Sequence, residues 1–140
     1  MSRVFWDTNL YIYLFEDYDP FSAMAINLRR RMLARGDQLL TSTLTLSEVL
    51  VKPMSVGDMS LCRKYEQAIT TTSLIIPFDV QAAKGYAALR SDRSLRAPDA
   101  MQLACAGAVH VDLFVTNKYR LQGKRVEGIE FIVALERAPL

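Results

Sequence analysis

Two textures alternate along the chain. Short apolar runs that stop abruptly at small polar residues occur at Val4-Phe5-Trp6, ahead of Asp7-Thr8-Asn9, and at Val111-Asp112-Leu113-Phe114-Val115, ahead of Thr116-Asn117. Runs this short predict buried parallel strands whose polar exits lie at the carboxyl edge of a sheet. Further strands are expected at residues 38–43, at residues 73–77, where proline closes the run, and at residues 129–133. Between them the apolar positions recur at helical spacing, as in Phe21, Met24, Ala25, Leu28, Met32 and Leu33, a helix stopped by Gly36. Helices are also expected over residues 10–15, from Thr45 to a stop at Pro53, over residues 56–71, over residues 80–90 behind an Asp79 cap, and from Ala97 onward. Strands alternating with helices imply one α/β domain over residues 1–140: three layers, α/β/α, around a mainly parallel sheet of four to five strands.

Composition narrows the class. With 51% hydrophobic and 23% charged residues, the chain has the profile of a folded globular protein. A net charge of +2 is too small to announce a nucleic-acid binder, so the placement of the bases matters more than their sum. Arg29, Arg30, Arg31 and Arg35 gather at the end of the second helix, where they complement its dipole. Two cysteines, Cys62 and Cys105, are too few for a disulfide framework and read as free thiols in a reducing compartment. There is neither a signal-like start nor an apolar stretch of about eighteen residues, which makes a cytoplasmic protein without membrane spans the expectation.

The acids carry the candidate chemistry, and each also has a local explanation. Asp7, Thr8 or Asn9 can cap the first helix; Thr45 and Glu48 have capping-box spacing; Asp99 sits in the first turn behind Pro98, where it favours the helix dipole. Their joint placement is more informative. Strand ends and helix starts share one rim of a three-layer fold, and this rim is where such folds place ligands. Asp7, Glu48 and Asp99 brought together there would repel unless protonated or neutralised, and a hard divalent cation is a natural remedy. Zinc is disfavoured, because His110 is the only histidine and neither cysteine has a nearby partner.

Asp7-Thr8-Asn9, Ser47-Glu48-Val49, Pro98-Asp99-Ala100 and Thr116-Asn117 before a basic loop, in that order, resemble the motifs of PIN-domain ribonucleases, above all the VapC-type toxins of prokaryotic toxin-antitoxin pairs. The resemblance implies a Mg2+ or Mn2+ dependent endoribonuclease, usually a homodimer, restrained by an antitoxin protein that reaches into the acidic pocket. It implies metal ligation by Asp7, Glu48 and Asp99, with Thr116 orienting one of them, and RNA products with 5′-phosphate and 3′-hydroxyl ends. Asn117 is a further neutral oxygen donor. Substrate contacts are expected from Asn9 and from a basic rim of Arg93, Arg96, Lys118, Arg120, Lys124 and Arg125, with Tyr11, Tyr13 and Tyr119 as aromatic platforms or simply packed rings.

One departure stands out. The family commonly has an acid two residues after the threonine, and here Lys118 holds that place. Asp112 cannot stand in, because it begins the strand that Thr116 ends, roughly 13 Å away at about 3.3 Å per residue. Lys118 therefore either neutralises the pocket or contacts a phosphate, and it opens a second reading: a PIN-like binding module with impaired catalysis. A third, a phosphotransfer domain with Asp7 as acceptor, lacks the aspartate that such a pattern would want at Asn9.

Overall fold

The computed structural model describes residues 1–140. Its strands are β1 (Arg3–Trp6), β2 (Gln38–Ser42), β3 (Leu74–Ile76), β4 (Val111–Thr116) and β5 (Ile129–Ala134). They form one five-stranded sheet in the order β3-β2-β1-β4-β5, with every neighbouring pair parallel. Helices α1 (Thr8–Phe15), α2 (Phe21–Arg35), α3 (Thr43–Ser55), α4 (Met59–Thr72), α5 (Val80–Leu89) and α6 (Ala97–Val109) supply the outer layers. The three-layer α/β/α architecture expected from the alternation is the one found.

Strand side chains divide by parity, as a pleated sheet requires. Val4, Trp6, Leu39, Leu113 and Val115 pack with Leu10, Leu28, Met32 and Ile69 of α1, α2 and α4. Phe5, Leu40, Phe114 and Ile132 face the other way, onto Ala82, Ala100 and Leu103 of α5 and α6. Phe5 and Phe114, partners in register, stack at 5.1 Å between ring centroids. Two small residues of α5 pack within the chain: a Cβ on Gly85 would lie 3.6 Å from Cβ of Ala104 on α6, and Ala82 is fully buried. Ala83, Ala87 and Ala88 on the same helix are exposed.

Several helix boundaries differ from the sequence expectation, beginning with α1, which starts at Thr8 and not Leu10 because Asp7 caps it. The third helix starts at Thr43, not Thr45, because Ser42 is its cap and accepts a hydrogen bond from Leu44 N–H at 3.2 Å. Pro53 does not end that helix; its ring is buried, the turn continues to Ser55, and Gly57 N–H donates to Met54 O. The fourth helix starts at Met59, not Val56, because Gly57 takes a left-handed φ of 71° and Asp58 then caps through Leu61 N–H. Gly36, also left-handed at φ 75°, closes α2 as expected.

Backbone crossing at the start of β5 requires glycine. Gly128 has φ +86°, and a Cβ there would lie 2.1 Å from Gly107 O. Gly128→Ala is expected to destabilise the fold by at least about 2 kcal/mol, combining left-handed strain with a clash against backbone that cannot swing aside. A lowered urea midpoint at unchanged slope checks it.

At the opposite edge from the polar exits, Asp37 ties β1 to the turn before β2. It accepts from Ser2 N–H at 2.7 Å and from Arg35 Nε at 2.8 Å. Burial pushes its pKa up, but the Arg35 hydrogen bond, the Ser2 amide and the nearby positive charges outweigh this and hold it below the ordinary carboxylate value. A depressed folded pKa means stability that is present above the unfolded value near 3.9 and lost as pH falls through the folded one. Asp37→Asn should therefore be less stable than the parent at pH 6, with the gap closing as urea midpoints are followed down to pH 2.

Candidate functional site

Strand order reverses at β1: the chain moves outward through β2 and β3, then returns to the other side of β1 as β4. Such a switch leaves a crevice at the carboxyl ends of the two diverging strands. Asp7 and Thr116 stand there. Asp7 N–H still donates to Val115 O at 3.1 Å, so the ladder runs one residue beyond β1 and fixes the carboxylate between the strands. One carboxyl oxygen of Asp7 accepts from Thr8 N–H at 2.9 Å, capping α1, and the other accepts from Thr116 Oγ1 at 2.8 Å. Capping and a place in the rim site are thus served by one side chain, 1% exposed.

Asp99 arrives from the first turn of α6 and is 2% exposed. No partner adjoins it in sequence; the fold supplies two. Lys118 Nζ donates to Asp99 Oδ1 and Arg120 Nη2 to Asp99 Oδ2, each at 2.6 Å. Lys118 Nζ also lies 3.5 Å from Asp7 Oδ2, so one ammonium bridges the two buried acids. Burial pushes the Asp99 pKa up, yet Lys118 and Arg120 outweigh it and leave the carboxyl below its ordinary range. Burial likewise pulls Lys118 down, and Asp7, Asp99 and Glu48 outweigh it, so that its pKa is raised. Both groups are charged at neutral pH.

Glu48 joins the site through a hydroxyl. Thr8 Oγ1 donates to Glu48 Oε1 at 2.6 Å across the gap between α1 and α3. The capping-box alternative for Glu48 fails, because Thr45 lies inside α3 and its hydroxyl is fully buried in a different set of bonds. Thr41 Oγ1 donates to Thr45 Oγ1 at 2.8 Å and Gln102 Nε2 donates to it at 2.7 Å; Gln102 Nε2 also reaches Thr8 Oγ1 at 3.2 Å, and Ser42 Oγ donates to Gln102 Oε1. Gln102, 1% exposed on α6, is therefore the hub that fixes Thr8, and through it Glu48. Sequence reasoning passed over it, although a lone amide in an otherwise apolar helix was a usable signal, since buried polar groups need partners.

The remaining candidates separate. Asn117 Nδ2 donates to Tyr13 Oη at 2.7 Å, which turns its amide toward α1. Asn9 is half-buried on α1, while Arg93 and Arg96 are exposed around the start of α6. Lys124 is drawn off to Asp92 at 3.0 Å. Lys118 and Arg120, expected on a rim facing substrate, instead point inward at Asp99. Tyr11 is buried against Trp6, Tyr13 stacks on Phe21, and only Tyr119 stays open, at 88% exposure. Asp112 lies at the far end of β4 and accepts from Arg3 N–H. Both cysteines are free and buried.

For a hard divalent cation the donors are right in kind, since Asp7, Asp99, Glu48 and Thr116 offer oxygen alone. Their arrangement is another matter. No three acidic, histidine or cysteine side chains form a cluster fit to hold a metal ion, and the position between Asp7 and Asp99 belongs to the Lys118 ammonium. The repulsion that argued for an external cation is relieved by the chain's own bases.

Comparison with solved structures finds the same fold in toxin-antitoxin complexes. A chain of the VapBC2 complex from Rickettsia felis bound to a promoter DNA fragment superimposes with a TM-score of 0.71 at 18% identity, covering 94% of this chain and 97% of that one. A chain of the DNA-bound VapBC complex from Salmonella typhimurium gives 0.70 at 20% identity, covering 96% and 99%. A chain of a Klebsiella pneumoniae toxin-antitoxin complex gives 0.65 at 24% identity, covering 94% and 100%. No curated protein sequence matches. No helix is long and apolar enough to cross a membrane. The PIN domain family model matches residues 4–125, which takes in Asp7, Glu48, Asp99, Thr116 and the sheet's switch point, and the chain belongs to the PIN domain family.

Proposed function

We propose that this chain is a VapC-type toxin: a cytoplasmic endoribonuclease that hydrolyses RNA phosphodiester bonds with Mg2+ or Mn2+, acts as a homodimer and is neutralised by a partner antitoxin protein. The observation that carries this reading is the meeting of two almost fully buried carboxylates, Asp7 and Asp99, at one cation position in the crevice of a PIN domain. The named complexes of its structural neighbours support the antitoxin as partner.

In this reading Asp7, Glu48 and Asp99 would hold the cation, directly or through water. When bound, the ion would stabilise charge growing on the phosphate oxygens. Thr116 fixes the orientation of Asp7 by donating to Oδ2, and Thr8 does the same for Glu48. Asn9, Arg93 and Arg96 would meet the RNA backbone, and the salt dependence of binding would report those contacts. Exposed Tyr119, between Lys118 and Arg120, offers a face on which an unpaired base can stack. Tyr119→Ala is expected to weaken RNA binding on the order of 5- to 10-fold without lowering thermal stability, as read by fluorescence polarisation and melting.

Purified protein incubated with structured RNAs and Mn2+ should release fragments carrying 5′-phosphate ends, and excess chelator should stop it. Intact RNA at saturating Mn2+, together with preserved antitoxin binding, would favour the second reading, a PIN-fold binding module without catalysis. Lys118 in the cation position is the observation on that side.

A further inference from the structure

Lys118 is anchored differently at its two ends. Its backbone N–H donates to Thr116 Oγ1 at 3.0 Å, and the following single turn, Tyr119–Leu121, is pinned by fully buried Leu121. Its side chain is 23% exposed, and Nζ touches both Asp7 and Asp99. The main chain is therefore fixed, while the side chain that carries the ammonium is partly exposed.

A magnesium-like ion sits about 2.0–2.1 Å from its oxygens. An ion placed on both Asp7 Oδ2 and Asp99 Oδ1 would compete for these atoms with, and crowd, an ammonium that already lies 3.5 Å and 2.6 Å from them. Charge opposes coexistence as well as space, because the two cations would repel at close range inside a poorly solvated site. Arg120 holds the other oxygen, Asp99 Oδ2.

We infer that the Lys118 ammonium is the built-in counter-ion of this site and that a divalent cation enters only by displacing it. The inference rests on the reading of Asp7 and Asp99 as metal ligands and adds that this chain gates its own metal loading. The wild-type protein then binds metal weakly, and any RNA cleavage needs Mn2+ well above what the same site would need without Lys118.

Mn2+ binding, followed by loss of the free-ion electron paramagnetic resonance signal, tests this on wild type, Lys118→Ala and Lys118→Gln. Asp99 keeps Arg120 in both variants, and glutamine keeps a donor in place, so the fold has two chances to survive the change. Both variants should bind Mn2+ on the order of tenfold or more tightly than wild type, since a site's charge count sets its affinity. Adding Asp7→Asn to Lys118→Gln should remove the gain. Mn2+ should also raise the melting temperature of Lys118→Gln more than that of wild type, because a ligand bound only by the folded state stabilises it. Equal affinity in wild type and variants would overturn the gating while leaving the metal-site reading in place. No binding by any variant would overturn both.

Discussion

Asp7→Asn is expected to slow RNA cleavage by at least about 10²–10³-fold, the usual scale for removing a group that stabilises charge in a reaction. The side chain keeps its size, and its amide oxygen can still accept from one of the two donors that now fix the carboxylate, Thr8 N–H and Thr116 Oγ1. What it loses is the negative charge facing the cation position, together with the Lys118 contact at 3.5 Å, so the drop in rate should exceed what any fall in melting temperature explains. A rate within a fewfold of the parent, measured at saturating Mn2+, would remove Asp7 from the chemistry. A drop matched by unfolding would reduce it to a helix cap.

Gln102→Leu should produce the largest loss of stability among substitutions near the site, roughly 2–4 kcal/mol in urea unfolding. Leucine fills the space, yet Ser42 Oγ loses its acceptor, and Thr45 and Thr8 lose a donor in a region shielded from water. Hydroxyl groups can rotate to recover part of this, which keeps the figure below the sum of three separate penalties. Because Thr8 also holds Glu48, the variant should cleave RNA more slowly even where it remains folded. Stability within about 0.5 kcal/mol of the parent would mean that water replaces the amide and that the network does not position Glu48.

The architecture was readable because burial and periodicity agree at almost every element. Phe5 between Val4 and Trp6, and Phe114 between Leu113 and Val115, are apolar on both faces, which is what a central parallel strand requires. The misplaced start of α3 has a plain cause. Residues 41–47 offer Thr, Ser, Thr, Thr and Ser as alternative caps, and local spacing cannot choose among them. Tertiary bonds choose: Thr45 is claimed by Thr41 and Gln102, leaving Ser42 at the helix start. Pro53 misled because its effect depends on packing around the ring.

At the site, the order of the acids along the chain was visible, and so was the oddity of Lys118. Its consequence was not, since the sequence separates Lys118 from Asp7 by more than a hundred positions and from Asp99 by 19. Only the parallel pairing of β1 with β4 and the packing of α6 beneath them bring the ammonium between the two carboxylates. Gln102 was hidden for the converse reason: its partners lie on α1, β2 and α3, and nothing near it in sequence asks for an amide.

Mn2+ soaked into crystals of the Lys118→Gln variant can be located by its anomalous scattering. One strong peak is expected between the carboxylates of Asp7 and Asp99, with Glu48 on the same side of the crevice. A peak elsewhere on the molecule, with Asp7 still held by Thr8 N–H and Thr116 and Asp99 by Arg120, would contradict this placement.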